Sequence, residues 1–335
     1  MSIRSNIKGI LRRFLKRYGY DILPQNLVYD WQSIDLVQEP RQIYLPDGAR
    51  EFLTPDNPEL LDLKKRYRAC SHSSCGELLW TDDRVKPDDI LYFRGHNAYV
   101  FQEGSFNRNL FGYLLAYYYA KSIDRLGLLD ILKEDTAFGV ITYEVDGKQV
   151  SRDLLDSVLE IYFLENNLGL SDKENLTILD IGAGYGRMAH RMVESFPNVK
   201  SYCCTDAVAV STFISKYYLE LRGLQDRTRV LALDTIHEDL SKGSIYLAVN
   251  IHSFSECTLD AIEWWLSLLV EKEVPYLMIV PNSGVELLTN DGRDFSSMLN
   301  DYGYGRIALE PKYKDPVVQK YAMNPDYYHL FKART

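Results

Sequence analysis

Cysteine and long apolar runs are both scarce in this chain. The five cysteines among 335 residues show none of the spacings of a disulfide framework. Two of them, Cys203 and Cys204, lie within a predicted buried strand, where a thiol behaves as a small apolar group. The longest apolar stretch, residues 110–120, is too short to cross a bilayer, and no signal for cleaved export precedes it. A folded cytoplasmic protein without a membrane span is therefore expected.

Positive charge is also scarce beyond the first 20 residues. The chain has 38 basic and 47 acidic residues and a net charge of −9, although six of the basic residues precede the first acid, Asp21. An acidic surface repels phosphate groups. Nucleic acid is therefore not expected as a partner.

Residues 3–18 predict a basic amphipathic helix. Apolar residues recur there every three or four positions, and the intervening positions are rich in lysine and arginine. Such a helix favours reversible adsorption to an anionic membrane surface, here the inner membrane face, through residues 1–18. The alternative is a helix docked on its own protein or on a second subunit of a homo-oligomer.

After this helix, at 1–20, the sequence divides into two regions. Residues 21–150 contain proline-containing loops, an aromatic-rich segment and an apolar helix, which together indicate a mixed α+β region. From residue 151 to 335, a helix is followed by apolar runs that alternate with helical stretches, a pattern typical of a parallel, doubly wound α/β sheet. The runs are 176–181, 200–205, 229–233, 245–250 and 276–280. Two last runs, 306–310 and 327–332, have no strong helix between them and predict an antiparallel hairpin.

The sharpest motif is LDIGAGYGR, residues 179–187, where an apolar strand is followed by closely spaced glycines and then by a helix. Glycines allow a tight turn and the close approach of a ligand. Their spacing, Gly-x-Gly-x-Gly, differs from the Gly-x-Gly-x-x-Gly of pyrophosphate-binding dehydrogenases. Asp180, two residues before the first glycine, can instead approach the ammonium group of S-adenosylmethionine (SAM). The alternatives are an NAD-dependent enzyme and a tight turn that binds no ligand.

Acidic side chains follow the next two strands. Asp206 ends the second run, where a carboxylate can accept both hydroxyls of a ribose. Asp234 and Thr235 end the third run, where a carboxylate can accept the amino group of adenine. The alternative role for Asp206 is the capping of a helix.

The fourth run ends in a polar string, NIHSFSE, residues 250–256. In an open α/β sheet the ligand crevice lies outside the carboxyl ends of the strands, so this string is expected at the reactive face. His252 is the candidate general base, and Glu256 or Asp180 is the candidate carboxylate that orients its ring. The alternative is a structural histidine.

Together with the upstream segment FRGHNAYVFQ, residues 93–102, these motifs resemble the bacterial sugar O-methyltransferase family of class I SAM-dependent methyltransferases. The resemblance covers roughly residues 60–335. It implies a Rossmann-like sheet of seven strands, SAM as methyl donor, and a saccharide hydroxyl as acceptor in surface-polysaccharide or glycolipid assembly. By position, the expected SAM contacts are Asp180, Gly182, Ala183, Gly184, Tyr185, Asp206, Asp234, Thr235 and Asn250. The expected acceptor contacts, in a region at 21–150 that would close as a lid, are Arg94, His96, Asn97 and Tyr99. A polar edge strand is the alternative for these four.

Other classes remain open from the sequence. A module that keeps the fold but lacks chemistry would bind SAM without turnover, or would not bind it. Because the shape of the pocket decides the acceptor, methylation of protein, nucleic acid or small metabolites also stays open. A zinc site at Cys70, His72 and Cys75 is disfavoured, because three nearby ligands lack a matching second pair, and no metal is predicted.

Overall fold

Before residue 152, the residues that the structure describes form helices and a β-hairpin. The computed structural model describes residues 14–15, 17–20, 44–75, 86–95, 110–282 and 284–334. The helices are α1 Ala49–Phe52, α2 Pro58–Ala69, α3 Pro87–Leu91, α4 Leu110–Ile123 and α5 Leu128–Ile131. The hairpin pairs β1 Thr142–Val145 with β2 Lys148–Ser151. α2 starts at a proline, and the side chain of Asn57 accepts the N–H of Glu59, which satisfies one free donor of the first turn.

The apolar runs of the second half form one seven-stranded sheet. Its strands are β3 Leu176–Ile181, β4 Val199–Thr205, β5 Thr228–Leu231, β6 Leu247–Ile251, β7 Tyr276–Val280, β8 Tyr304–Pro311 and β9 Tyr327–Ala333. In space their order is β5, β4, β3, β6, β7, β9 and β8. The strands from β5 to β7 are parallel, while β9 is antiparallel to both β7 and β8. The predicted mostly parallel sheet with a C-terminal antiparallel hairpin is confirmed.

Helices cover both faces of this sheet. They are α6 Arg152–Leu168, α7 Arg187–Ser195, α8 Ala209–Leu221, α9 Ile236–Asp239, α10 Leu259–Glu271, α11 Ser296–Asp301 and α12 Pro316–Tyr321. The chain moves from β3 outward to β5 and later from β6 outward to β7, so the connecting helices lie on opposite faces. Accordingly, α6, α7 and α8 contribute mainly to one apolar core, and α9, α10 and α11 contribute to the other.

The N-terminal helices pack on the face that carries α6, α7 and α8. The rings of Phe93 and Phe138 stack with centroids 4.5 Å apart, and Phe93 also contacts the ring of Tyr185 at 5.4 Å. One apolar core therefore spans the boundary at residues 150 and 151. The assignment of separate domains on either side of that boundary stays a prediction.

Four acidic residues of α6 are buried, namely Asp153, Asp156, Glu160 and Glu165. The helix starts as expected at Ser151, whose side chain accepts the N–H of Leu154. The hydroxyl of Tyr185 donates to Asp153, the ammonium of Lys312 donates to Asp156, and the guanidinium of Arg187 donates to Glu160. Internal hydrogen bonds thus compensate the burial of these carboxylates.

Within the described ranges no helix has the length and apolar character needed to cross a bilayer. Most of the predicted basic helix at 1–18 lies outside the described residues. Its membrane and docking alternatives therefore stay predictions, as does the inner membrane face as a location.

Candidate functional site

The strand order of the sheet reverses at β3, which lies between β4 and β6. A ligand crevice is expected outside the carboxyl ends of the strands at such a point. The turn after β3, residues 182–186, lies at this edge. It contains three glycines with positive φ angles, as the motif predicts.

Gly182 and Gly184 have different roles in this turn. A Cβ at Gly182 would lie 2.2 Å from the Cβ of Ser253, so the segment after β6 packs directly on this glycine. A Cβ at Gly184 would meet no atom within 4 Å, although the φ of +56° strains any side chain there. The first glycine is required by packing within the protein, whereas the second leaves open space that a ligand can occupy.

Asp206 lies directly after β4 and contacts the glycine turn. Its carboxylate accepts the N–H of Gly184 at 3.0 Å and the N–H of Val208 at 2.8 Å. Burial raises the pKa of Asp206 to about 7, even though these two N–H groups favour the ionised form. Each carboxylate oxygen keeps further capacity as an acceptor. Val208 is the N-cap of α8 and no side chain caps this helix, so the remaining acceptor capacity of Asp206 is available for ribose hydroxyls.

Asp180 is the second buried acid at this edge. It is a residue of β3, and the hydroxyl of Tyr202 on β4 donates to it at 3.0 Å. Burial raises the pKa of Asp180 to about 7 and outweighs the effect of the Tyr202 hydroxyl. Among the described residues this carboxylate forms no ion pair with a lysine or an arginine. A cationic group brought close would therefore stabilise its ionised form.

Asp234 lies in the single 3₁₀ turn Leu233–Thr235 that follows β5. Arg66 of α2 donates to both of its oxygens, from Nε to Oδ2 and from Nη2 to Oδ1, each at 2.8 Å. The hydroxyl of Thr235, which precedes α9, donates to Asp239, the last residue of that helix, at 2.7 Å. The carboxylate of Asp234 is thus held at the sheet edge, and the contact of Thr235 with SAM stays a prediction.

The side chain of Asn250 is used inside the protein. Its Nδ2 donates to the carbonyl oxygen of Ile181 at 2.9 Å, and its Oδ1 accepts the N–H of Phe254 at 2.8 Å. The residue has no exposed surface. The side chain of Asn250 therefore connects the end of β3 to the turn after β6, and the contact of this residue with SAM stays a prediction.

His252 follows β6 in a strained conformation, with φ +69° and ψ −30°. Its backbone N–H donates to the carbonyl of Val280 at 2.7 Å. Its Nδ1 lies 3.3 Å from the carbonyl oxygen of Pro281. Because a carbonyl oxygen can only accept, this contact places a proton on Nδ1 and leaves Nε2 of the neutral ring as an acceptor.

The predicted orienting role of Glu256 differs from the observed contacts. Residues Ser253–Glu256 form a 3₁₀ turn, not an α-helical one, so the expected alignment of Glu256 with His252 does not arise. The Oε1 of Glu256 instead lies 3.5 Å from Nδ2 of Asn282. The carbonyl of Pro281 contacts the imidazole at Nδ1, and the orienting roles of Glu256 and Asp180 stay predictions.

Two further predicted contacts, Tyr185 and Arg94, lie in the packed interior. The hydroxyl of Tyr185 donates to Asp153 at 2.5 Å. Arg94 is fully buried and forms ion pairs with Glu134 at 2.5 Å and Asp135 at 2.6 Å. The guanidinium of Arg94 and the ring of Tyr185 are thus enclosed by the protein, and their contacts with the acceptor and with SAM stay predictions. The other three residues of that prediction, His96, Asn97 and Tyr99, lie outside the described residues.

Arg66 and Tyr67 of α2 are the residues at this edge that the sequence did not predict. No local motif marks them, because their partners Asp234 and Leu233 lie far away in the chain. The nearby His72 stacks on Trp264 with centroids 4.7 Å apart. In the part of the chain that the structure describes, no three potential metal ligands lie together, at Cys70 and His72 or elsewhere.

No family model matches the chain. Solved structures similar to it include a SAM-dependent methyltransferase from Aquifex aeolicus, at 16% identity and a TM-score of 0.39, covering 52% of this chain and 88% of that one. Another is a candidate RNA methyltransferase from Pyrococcus horikoshii, at 15% identity and a TM-score of 0.39, covering 54% and 85%. A third, a candidate tRNA (m1A22) methyltransferase from Streptococcus pneumoniae, was determined with S-adenosyl-L-methionine, the cofactor predicted from this sequence. It has 16% identity and a TM-score of 0.37, covering 50% and 71%.

A curated relative, the tRNA N(3)-methylcytidine methyltransferase trm141 of Schizosaccharomyces pombe, is 38% identical over 66 residues. The match covers 20% of this chain and a quarter (25%) of the relative. The expectation that nucleic acid is excluded as a partner is contradicted by this relative. The reason is physical, because net charge describes the whole chain and does not report the local charge of a binding surface. The strand order and mostly parallel pairing of the sheet are those of a Rossmann-like α/β fold, and the solved structures similar to this chain include SAM-dependent methyltransferases.

Proposed function

We propose that this protein is a SAM-dependent methyltransferase that binds its cofactor across the carboxyl ends of β3, β4 and β5. The observation that carries the proposal is the open side of Gly184 next to the buried carboxylate of Asp206. A glycine turn of this kind leaves room for a ligand, and the carboxylate offers acceptors for ribose hydroxyls.

The charges at this edge fit SAM better than they fit a dinucleotide. SAM carries an ammonium and a sulfonium and has no phosphate. Asp180 and Asp206 are buried acids whose pKa values burial raises to about 7, so a nearby cation would stabilise them and a pyrophosphate would not. Asp180 would face the ammonium, Asp206 the ribose and Asp234 the adenine. When bound, SAM supplies an electrophilic methyl group.

His252 is the proposed general base for transfer to a hydroxyl. The contact of Nδ1 with the Pro281 carbonyl supports a tautomer in which Nε2 is free of a proton and can accept one from the substrate. Its strained backbone is held by the bond to Val280. Glu256 lies in the turn that follows His252. In this proposal it adds negative charge at this edge of the sheet and does not orient the imidazole.

Calorimetry with S-adenosylhomocysteine tests the cofactor site. The wild-type protein is expected to bind it, and Gly184→Val is expected to abolish binding, because a branched side chain would fill the open space and strain the backbone at positive φ. Gly223→Val is the matched control, since Gly223 has a φ of +69° and also has no atom within 4 Å, but lies at the other end of α8. Binding of NADH without binding of S-adenosylhomocysteine would contradict the proposal.

Two acceptors are proposed, each on its own support. The resemblance of the motifs supports O-methyl transfer to a saccharide hydroxyl, and the 66-residue match supports a base of tRNA. Incubation with methyl-labelled SAM and either a panel of glycans and glycolipids or total RNA separates them. Label that enters only the saccharide fraction supports O-methylation, whereas label that a ribonuclease removes supports the tRNA acceptor. Label in neither fraction contradicts both.

The base is tested by His252→Ala. For a hydroxyl acceptor, kcat is expected to fall by about 10² to 10⁴, the usual range of general-base catalysis. The affinity for S-adenosylhomocysteine is expected to change little, because the imidazole contacts Pro281 and not the glycine turn. Near-normal turnover would exclude His252 as the base.

A further inference from the structure

Helix α2, from the N-terminal region, contacts the ends of two strands at the proposed cofactor edge. Arg66 forms two parallel hydrogen bonds with Asp234, each at 2.8 Å. A bidentate pair of this kind fixes the plane of the carboxylate as well as its position. The side chains of Arg66 and Asp234 are only partly exposed, at 36% and 22%, so the pair is shielded from most of the solvent.

The next residue, Tyr67, connects the same edge at a second point. Its hydroxyl oxygen accepts the backbone N–H of Leu233 at 2.9 Å, in the turn that carries Asp234. The same hydroxyl lies 2.9 Å from Oγ1 of Thr212, and this Oγ1 lies 3.4 Å from the carbonyl oxygen of Asp206. One buried side chain therefore joins the segment after β5 to the segment after β4.

These contacts exceed what the docking of α2 requires. The helix is also attached to α8 through an ion pair between Glu59 and Lys216 at 2.7 Å, with both side chains about half exposed. The ring of Phe52, the last residue of α1, stacks on Phe213 of α8 at 5.3 Å. Arg66 and Tyr67 instead engage the two segments that carry the acids proposed to hold adenine and ribose.

We propose that Arg66 and Tyr67 are positioning residues of the cofactor site, which hold Asp234 and Asp206 in the arrangement that an adenosyl group requires. The inference rests on the proposed function. In the bidentate pair each oxygen of Asp234 accepts one bond from Arg66 and can accept another, which the exocyclic amino group of adenine can supply. Tyr67 sets the separation between this carboxylate and the one after β4.

Calorimetry with two ligands tests the roles of these residues. The ligands are S-adenosylhomocysteine and S-inosylhomocysteine, in which an oxygen replaces the amino group of adenine. Arg66→Gln is expected to weaken binding of the adenosyl ligand about tenfold, the scale of a charge-assisted hydrogen bond, and that of the inosyl ligand less than twofold. Arg66→Lys keeps the positive charge but cannot form the two parallel hydrogen bonds. Its affinity for the adenosyl ligand should lie between the affinities of Arg66→Gln and the wild type.

Tyr67→Phe is expected to weaken the binding of both ligands by the same factor, several-fold. The substitution loosens the backbone near Leu233 but leaves in place the carboxylate that accepts the amino group of adenine. Glu59→Gln is the matched control on the same helix. It breaks the exposed ion pair with Lys216 and should leave both affinities unchanged. Thermal unfolding of each variant shows whether it is folded, and the two conservative variants, Arg66→Lys and Tyr67→Phe, carry the test if Arg66→Gln does not fold.

Equal losses for both ligands in Arg66→Gln, or wild-type affinity in the Arg66 and Tyr67 variants, would overturn the inference and leave the proposed function intact. A loss of affinity in Glu59→Gln of the same size would also overturn it, because simple docking of α2 would then explain the result. A wild-type protein that binds neither ligand overturns the proposed function, and the inference falls with it.

Discussion

Two regions of this protein bury carboxylates. In one region cationic side chains lie beside the buried acids, and in the other the acids receive hydrogen bonds from neutral groups. Around α6 and the N-terminal helices, buried acids face cations. Glu134 contacts Arg94 at 2.5 Å and Arg191 at 3.1 Å, and these arginines hold its pKa at about 2 although burial alone would raise it. At the carboxyl edge of the sheet, burial raises the pKa values of Asp180 and Asp206 to about 7.

The difference distinguishes buried acids that form ion pairs within the protein from buried acids that remain available to a ligand. An acid that already has an internal cation gains little from a second one. Asp180 and Asp206 receive hydrogen bonds from Tyr202 and from backbone N–H groups, but no ion pair from the described residues. Burial of such groups is unfavourable in the free protein, and a cationic ligand would offset it. Perturbed acids at a sheet edge are thus a sign of a binding site.

The largest expected effect on stability comes from removing a cation that pairs with a buried acid of α6. Lys312 is 1% exposed and donates to the buried Asp156, which Arg152 also contacts at 3.2 Å. Lys312→Met should lower the free energy of unfolding by about 3 kcal/mol, because it leaves a buried carboxylate short of one partner. The pair between Lys314 and Glu310 lies nearby and is largely exposed at the lysine, so Lys314→Met should cost less than about 1 kcal/mol. Equal losses in urea unfolding of the two variants would contradict the distinction.

A neutral substitution at the proposed cofactor edge should affect ligand binding more than stability. Asp206→Asn is expected to weaken binding of S-adenosylhomocysteine by about 1.5 to 3 kcal/mol, the scale of hydrogen bonds to a charged group. Its free energy of unfolding should change much less than that of Lys312→Met. The amide loses one acceptor for the N–H of Gly184 or Val208, but a buried charge is removed at the same time. Unchanged affinity together with a large loss of stability would assign Asp206 to the fold alone.

Much of the sheet could be predicted because burial on both faces makes its strands apolar. The runs 176–181 and 276–280 coincide with β3 and β7. The run 229–233 extends past the end of β5 at Leu231, because Leu233 begins a 3₁₀ turn whose N–H meets Tyr67. A strand end and a buried turn are both apolar, so composition alone could not locate this boundary.

Side chains that act through distant partners could not be predicted in the same way. The acids Asp180, Asp206 and Asp234 were found from their positions in or after strands. The resemblance of its segment predicts that Arg94 contacts the acceptor, but the sequence does not predict that its guanidinium is buried against Glu134 and Asp135. A single sequence does not show which acid an arginine will meet in the folded chain. For the same reason, the sequence did not predict the role of Arg66.

The pH dependence of the two regions should differ in sign. Glu134 has a folded pKa of about 2, below its ordinary value of 4.5, so it stabilises the protein above pH 4.5 and loses this effect as the pH falls towards 2. Asp180 and Asp206 have folded pKa values of about 7, above their ordinary 3.8. Between these values the folded state binds more protons than the unfolded state, so their contribution to the stability of the free protein falls as the pH rises from about 4 to 7.

The last expected effect is the pH dependence of cofactor binding. The ammonium group of the ligand near Asp180 and ribose hydroxyls that donate to Asp206 favour the ionised acids, so affinity for S-adenosylhomocysteine should fall as the pH is lowered below about 7, by at most about tenfold per pH unit for each acid. Calorimetry from pH 5.5 to 8.5 measures this slope, and buffers of different ionisation enthalpy report the protons released on binding below pH 7. Asp206→Asn should reduce the slope, because one of the two acids no longer titrates. A flat profile in the wild type would show that both acids are already ionised without the ligand. The contrast between these two acids and the ion-paired acids around α6 would then fail.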